Sequence, residues 1–520
     1  MTGPAHHRPG RDRRIETVLP AAGRPRPAEV RTVAVVGGGI AGLAAATALA
    51  ERGVRVILHE ARPVLGGRLA GWPTTLADGT TVTMSRGFHA FFRQYYNLRG
   101  LLRRVDPELR CLTPLPDYPL RHADGIRDGF ARVPRTPPWS ALGFVARSPA
   151  FRRGDLLRMN PVAALDLVDV RVPRIYRRLD AVSATAFLDA IGFPAAARHL
   201  AFEVFSRSFF CDPGELSAAE MALMFHIYFL GSAEGLLFDV VREPFPVALW
   251  EPLAARLAGM GAELRVSSPV DEVVPCGRGA VEVRCRGERR RYDGVVLALD
   301  TAGLRRLAGG SPGLGTAEWR ARIAALRTAP PFLVSRLWLD RPPGPDAPGF
   351  LGTSGFGRLD NVSVLDRWEG EAARWAAAHG GSVVELHAYA VPPDADRDLE
   401  QRRLVAELHR VHPHTRRARI VDARHEWHDD CPLFPVGGYE ARPTVRTPHP
   451  AVVLAGDLVR ADLPVALMER AATTGFLAAN TLLERWGVRG HTLWTVPRRG
   501  RTAALRALHR LADHRRGLRG

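Results

Sequence analysis

Among 520 residues there is no lysine: every one of the 72 Lys-or-Arg positions is arginine. That absence removes Schiff-base chemistry and the phosphate-loop lysine together. Cysteine is scarce as well. The five residues 111, 211, 276, 285 and 431 are widely spaced, with no Cys-x-x-Cys pair. No disulfide framework or zinc site is readable, and a reducing cytoplasm is expected. His425 and His428 in "RHEWHDD" invite a metal reading, but strand-like spacing puts them on opposite faces or in a loop, so no metal is expected. No apolar stretch follows the first arginines and prolines, so no secretory signal is expected. One uncharged run, the 18 residues Val33 to Ala50, reaches the length that flags a membrane span. Gly37, Gly38 and Gly39 would break such a helix, so strand, turn and helix is the better reading.

What is present is ordinary for a globular protein: 46% hydrophobic and 24% charged residues. The net charge of +18 suggests a nucleic-acid binder until it is located. Residues 1–31 and 488–520 carry twelve of those charges, leaving the body only mildly basic. A basic stripe across a folded face is therefore not indicated, and no nucleic-acid partner is expected. Basic tails suit an anionic membrane surface better. In residues 498–520, Leu505, Leu508 and Ala512 fall on one helical face among arginines, which predicts a helix lying in an interface.

The pattern predicts an α/β chain in seven segments. Residues 1–31 read as a flexible basic tail, and 32–104 as the first part of a nucleotide-binding domain. Residues 105–244 form a helical insertion, 245–303 the second nucleotide-binding part, and 304–447 the sheet of a substrate domain. The third nucleotide-binding part is 448–487, and 488–520 form a basic amphipathic tail. Helix signals include Ser183 as N-cap and Gly192 with Pro194 as stop. "PPFLVSRLWLDRP" and "GSVVELHAYAV" alternate polar and apolar residues as strands do.

Gly37, Gly39 and Gly42 form G-x-G-x-x-G between the strand "TVAVV" and a helix. The first glycine permits the turn, the second lets backbone approach a pyrophosphate, and the third lets helix and strand pack closely. Glu60, at the end of the second strand, is placed to accept hydrogen bonds from a ribose diol. A few residues on, "EARPVLGGR" brings Gly66 and Gly67 for a second close approach, and Arg68 to neutralise phosphate or sit near a flavin.

These motifs together resemble the double-glycine signature of FAD-dependent amine oxidases and carotenoid desaturases. "VVLAGDLVRADLPVALMERAATTGFLAAN" resembles the closing FAD motif of the same superfamily. The resemblance implies a Rossmann-like FAD-binding domain of the amine oxidase/phytoene desaturase type, with an inserted mixed α+β substrate domain. It implies that Asp457 meets the ribityl-phosphate region, that the backbone at Leu467 and Met468 meets the pyrimidine edge, and that Val270 meets adenine. Glu469 is either a capping residue or a cofactor contact.

"GFHAFFRQYYNLRGLL" and the segment 202–241 resemble plant-type phytoene and ζ-carotene desaturases, and more closely the bacterial isorenieratene synthases, β-carotene desaturase/methylases. The resemblance covers roughly residues 32–485. It implies an FAD enzyme that aromatises the β-ring of β-carotene with a 1,2-methyl shift; the electron acceptor, a quinone or O2, is not named by the sequence, and the basic tails predict a peripheral place on the cytoplasmic membrane. A polyene tunnel needs aromatic walls, and Phe88, Phe91, Phe92, Tyr95, Tyr96, Phe225 and Tyr228 are the candidates. His89 is the candidate catalytic group, with Glu234 and Asp239 as other proton acceptors. An acyclic carotene desaturase or isomerase, an amine oxidase, and a membrane-docked carotenoid-binding flavoprotein without catalysis stand as alternatives. Many amine oxidases keep a lysine near flavin N5, and the lack of lysine argues against that branch.

Overall fold

The computed structural model describes residues 9–151, 153–201, 209–277 and 279–517. Its organising layer is a five-stranded sheet, all parallel, in the order Glu263–Arg265, Arg55–His59, Thr32–Val36, Gly294–Leu297, Val452–Leu454. Three separated stretches of chain thus build one parallel sheet. A three-stranded antiparallel sheet, Val270 to Tyr292, accompanies it.

The charge-free run is strand Thr32–Val36, a glycine turn, and helix Ile40–Ala50. Every residue of that helix is buried, because helix Leu467–Arg485 covers its outer side. Gly475 permits the approach: a Cβ there would lie 2.3 Å from the Ala41 carbonyl oxygen. A helix apolar all round is stable only when buried like this.

A seven-stranded sheet forms the second layer, in the order Ile420–His428, Phe332–Leu339, Ser382–Ala388, Asn361–Val364, Phe350–Ser354, Leu120–His122, Arg127–Asp128. Its last two strands come from 105–244, the segment expected to be helical. The insertion also holds strands Leu112–Pro114 and Phe238–Val241, and its described elements from Trp139 to Leu230 are helices. Ser183 Oγ accepts from Ala186 N–H, and Gly192 ends the helix at φ 68°.

Strands Phe332–Leu339 and Ser382–Ala388 alternate as strands do, yet every residue of both is buried. Their apolar face, with Leu333, Leu337, Val384 and Leu386, packs with Leu404 and Leu408 of helix Arg397–Val411. The polar face turns inward. Residues 9–31 do not behave as the expected flexible tail. Glu16–Val18 pairs antiparallel with Leu493–Thr495, Arg24 exchanges backbone hydrogen bonds with Gly487 and Arg489, and Asp12 is buried against Arg501. The two basic ends are sewn to each other.

Candidate active site

A cavity of about 700 Å³ lies between the two sheets. On the side of the parallel sheet it is lined by Gly37, Gly39, Glu60, Gly66, Gly67, Arg68, Val270, Asp457, Leu467 and Met468. The two glycine motifs meet there directly: Gly66 N–H donates to the Gly38 carbonyl at 2.8 Å, and Gly39 pairs with Gly66 in a parallel bridge. Gly37 is at φ 110°, and a Cβ on it would lie 2.3 Å from the Ala298 carbonyl oxygen. Gly42 does not line the cavity. A Cβ on Gly42 would sit 1.9 Å from the Gly37 carbonyl oxygen, so its role is close packing of turn and helix.

Glu60 accepts from Gly38 N–H at 2.6 Å and Arg62 N–H at 2.8 Å. This leaves carboxylate lone pairs for ribose hydroxyls. The helices beginning at Ile40 and Leu467 carry no side-chain cap. Their N–H groups are therefore available to an anion or to an electron-rich ring edge. Arg68 and Asp457 form an ion pair at 2.6 Å. Open glycine faces, a carboxylate at the ribose position and two uncapped helix starts fit a dinucleotide.

On the opposite side the cavity is aromatic, lined by Phe88, Phe92, Tyr95, Tyr118, Phe210, Phe238, Phe332 and Phe350. Phe88 stacks on Phe350 with ring centroids 4.3 Å apart, and Phe92 meets Tyr228 edge-on at 4.5 Å. Four predicted lining residues lie elsewhere. Phe91 is core, Tyr96 donates to Glu234 at 3.0 Å, and Phe225 packs on Phe229. Tyr228 stands one layer behind the wall, its hydroxyl 2.5 Å from that of Tyr95. The reason is periodicity: strand Phe91–Phe92 and helix Tyr96–Leu102 turn alternate aromatics away from the cavity. Residues 202–208 of the predicted lining segment lie outside the described residues.

His89 lines the cavity. Its Nδ1 faces the Gly87 carbonyl at 2.9 Å, so Nδ1 carries the proton and Nε2 is an acceptor. Burial, with Arg68 and His387 nearby, lowers its pKa to about 4, against the pull of the Gly87 carbonyl. It is a weak base. Glu234 and Asp239 are not in the cavity. Glu234 accepts from the backbone N–H of Arg11 and Asp12, and Asp239 is ion-paired with Arg99 at 2.6 Å. Both are structural. Glu469 is a cap: it accepts from Asn97 N–H, Leu98 N–H and Asn97 Nδ2, each at 2.9 Å, at the start of helix Tyr96–Leu102. His425 bonds Ser335 Oγ, and His428 bonds Glu426.

Asp360, Asn361, His387 and Tyr389 also line the cavity, and the sequence reading missed them. The signal for His387 and Tyr389 was the polar alternation in "VELHAYA", which tells that they share a face and not what that face meets. Cys431 is buried in the cavity wall. Burial pushes its thiol up to about 12, against the pull of Arg68, so it stays protonated and is no nucleophile.

The flavin containing amine oxidoreductase family matches residues 40–483. The chain is 69% identical over 508 residues to the carotenoid phi-ring synthase of Streptomyces griseus, covering 98% of each. It is 29% identical over 599 residues to the carotenoid phi-ring synthase of Chlorobaculum tepidum, covering 90% of each. A solved putrescine oxidase shares the fold at a TM-score of 0.66 and 18% identity, over 88% of this chain and 100% of that one. With the glycine cradle and the shared fold, these matches place the chain in the flavin-containing amine oxidoreductase family, in its carotenoid desaturase branch, as an FAD-dependent oxidoreductase.

Proposed function

We propose that this oxidoreductase converts the trimethylcyclohexene end ring of β-carotene, or a similar β-ring carotenoid, into a trimethylphenyl ring. The observation that carries the proposal is the aromatic wall facing the dinucleotide cradle across one cavity. The names of the two phi-ring synthases support it.

In this reading the backbone at Gly37, Gly39, Gly66 and Gly67 approaches the pyrophosphate, Glu60 takes the ribose diol, and Val270 lies by adenine. Arg68, Asp457, Leu467 and Met468 hold the flavin half. Bound FAD supplies a two-electron acceptor for hydride from an allylic ring carbon, and a quinone or O2 takes the electrons on.

The ring starts with one double bond and ends with three, so two two-electron oxidations and two proton losses are needed per ring. One ring carbon carries two methyls and cannot become aromatic while it does. A cation formed beside it draws one methyl across, and proton loss completes the ring. The aromatic walls hold the ring, exclude water that would trap the cation, and offer π-faces to it, Phe92 and Tyr95 being the predicted π-donors that line the cavity. A lysine-free chain presents no competing amine. The migrating methyl is the ring's own, so no methyl donor is required.

Delivery of so apolar a substrate favours a membrane surface. Among the described residues no helix is long and apolar enough to cross a membrane. Among the described residues, six of the twelve exposed large apolar side chains lie on helices of the insertion and on the C-terminal helix. These are Trp139, Leu142, Leu157 and Val162 on consecutive helices of the insertion, and Leu508 and Leu511 on helix Ala503–Gly517. That last helix is tied to the insertion by His509 and Asp166, 2.9 Å apart. Leu505 and Ala512, expected on the membrane face with Leu508, are half-buried. The docking face we propose is therefore this composite of insertion and C-terminal helix, peripheral on the cytoplasmic membrane.

Expression in a β-carotene-accumulating host with product analysis tests the reaction. An aromatic-ring carotenoid without label from methyl-labelled S-adenosylmethionine is expected. Dehydrogenation of acyclic carotenes alone would sink the proposal.

A further inference from the structure

In the proposed ring oxidation each step releases a proton into an aromatic-walled cavity, so a group of the wall is needed to accept it. His89 is a weak base, and Glu234 and Asp239 lie outside the cavity. The inward-turned polar face of the seven-stranded sheet carries something better.

Cross-strand register sets Arg336 opposite Glu385, and His387 opposite Asn361, with Tyr389 next along on the same face. Arg336 donates from Nε at 3.0 Å and from Nη2 at 2.8 Å to Glu385 Oε2, and Phe88 N–H donates to Oε1 at 2.7 Å. Burial alone would raise the Glu385 carboxyl, but Arg336 and His387 hold it down at about 2. Glu385 is therefore a carboxylate, an acceptor only. His387 Nε2, 2.8 Å from Oε1, must carry the imidazole proton and donate it. That leaves Nδ1 as an acceptor, and the Tyr389 hydroxyl lies 2.9 Å from it. Tyr389 donates to Nδ1 and accepts from Asn361 Nδ2 at 3.1 Å. The hydrogen bonds from Asn361 to Tyr389, from Tyr389 to His387 and from His387 to Glu385 all run in one chain toward the carboxylate. Two features separate this chain from an ordinary buried network. Tyr389 is half-buried at the cavity wall, and Asn361 Oδ1, though buried, has no hydrogen-bond partner.

Resting on the proposed ring oxidation, we infer that Tyr389 and His387 are the catalytic proton acceptor, with Glu385 and Arg336 as positioning residues. In the step, the ring C–H bond breaks and its electron pair becomes the new C=C bond of the cationic ring. The proton goes to Tyr389 Oη as the Tyr389 proton passes to His387 Nδ1. The product is a neutral ring and an imidazolium held against the Glu385 carboxylate. Positioned general bases of this kind contribute roughly 10² to 10⁴ in rate.

The test uses FAD-loaded full-length protein, Tyr389→Phe and His387→Gln, with β-carotene in liposomes. Both variants should keep FAD content and carotenoid affinity while ring product forms at least about 100-fold more slowly. Histidine-selective ¹⁵N NMR of the holoprotein is independent of turnover. It should show a downfield His387 Nε2 proton, with the Nδ1 shift moving in Tyr389→Phe. Wild-type rates in Tyr389→Phe, or an Nδ1-protonated His387, would overturn the inference. If wild type leaves β-rings untouched and dehydrogenates an acyclic carotene, the ring reading fails, and the relay is judged by the same variants on that substrate.

Discussion

A Cβ on Gly67 would sit 3.0 Å from the Cα of Gly39, whereas a Cβ on Gly39 meets nothing nearer than 3.7 Å. The two glycine loops press on each other from one side only, and the free face of Gly39 looks into the cavity.

Gly39→Ala should accordingly fold and yet lose cofactor. We expect FAD affinity to fall at least tenfold, about 1.4 kcal/mol, with the melting temperature of the apoprotein unchanged. Gly42→Ala should do the reverse, destabilising the fold by about 1–3 kcal/mol or more through overpacking against the Gly37 carbonyl. Flavin absorbance per protein and apoprotein melts separate the two. Equal effects from both substitutions would contradict the division of roles.

Asp239→Asn should damage stability and not chemistry. Its carboxylate pairs with Arg99 at 2.6 Å and with Arg93 at 3.4 Å. Removing one partner of a buried pair costs about 3–5 kcal/mol. Denaturant unfolding measures the loss, and turnover per folded, FAD-loaded molecule should stay near wild type.

His89 should make the fold acid-sensitive. Its folded pKa of about 4 lies below the ordinary value of 6.5, because burial disfavours the charged ring. As pH falls from 6.5 to 4 the unfolded chain takes up a proton that the native protein refuses, so stability drops through that window. The contribution reaches at most about 3 kcal/mol for one such group. Replacing it, as in His89→Gln, should reduce the slope of the unfolding free energy between pH 6.5 and 4, leaving the share of His59, His412 and His491, which burial also lowers to about 4. An unchanged slope would mean that His89 is not held neutral.

The composite apolar margin should govern membrane attachment. Trp139→Ser with Leu157→Ser, or Leu508→Ser with Leu511→Ser, should each shift the protein from anionic vesicles into the supernatant on flotation. Each buried leucine contributes on the order of 1.5–3 kcal/mol. Undiminished flotation of all four substitutions combined would place the docking face elsewhere.

The nucleotide half of this protein was legible in its residues because its chemistry is local. Strand, glycine turn, helix and the carboxylate proposed for the ribose all fall within residues 32–68, and a Cβ on Gly42 would meet the Gly37 carbonyl only a few residues away. Backbone conformation and spacing at short range are written directly into residue order. The aromatic wall was legible only in part. "FFRQYY" announces rings, but which of them face a cavity depends on a short strand passing into a helix, and so Phe92 and Tyr95 look in while Phe91 and Tyr96 look away.

Tertiary structure alone decided the acid–base groups and the fate of the tails. Glu234 and Asp239 read as free carboxylates until Tyr96 and Arg99 were brought against them. His387 and Tyr389 share a polar strand face in the sequence, but only the sheet, with its apolar side on helix Arg397–Val411, sets that face toward the cavity. The chain ends pair although almost the whole chain separates them. A periodicity of two tells which residues share a face of a strand, but only packing between elements distant in sequence determines which face meets water.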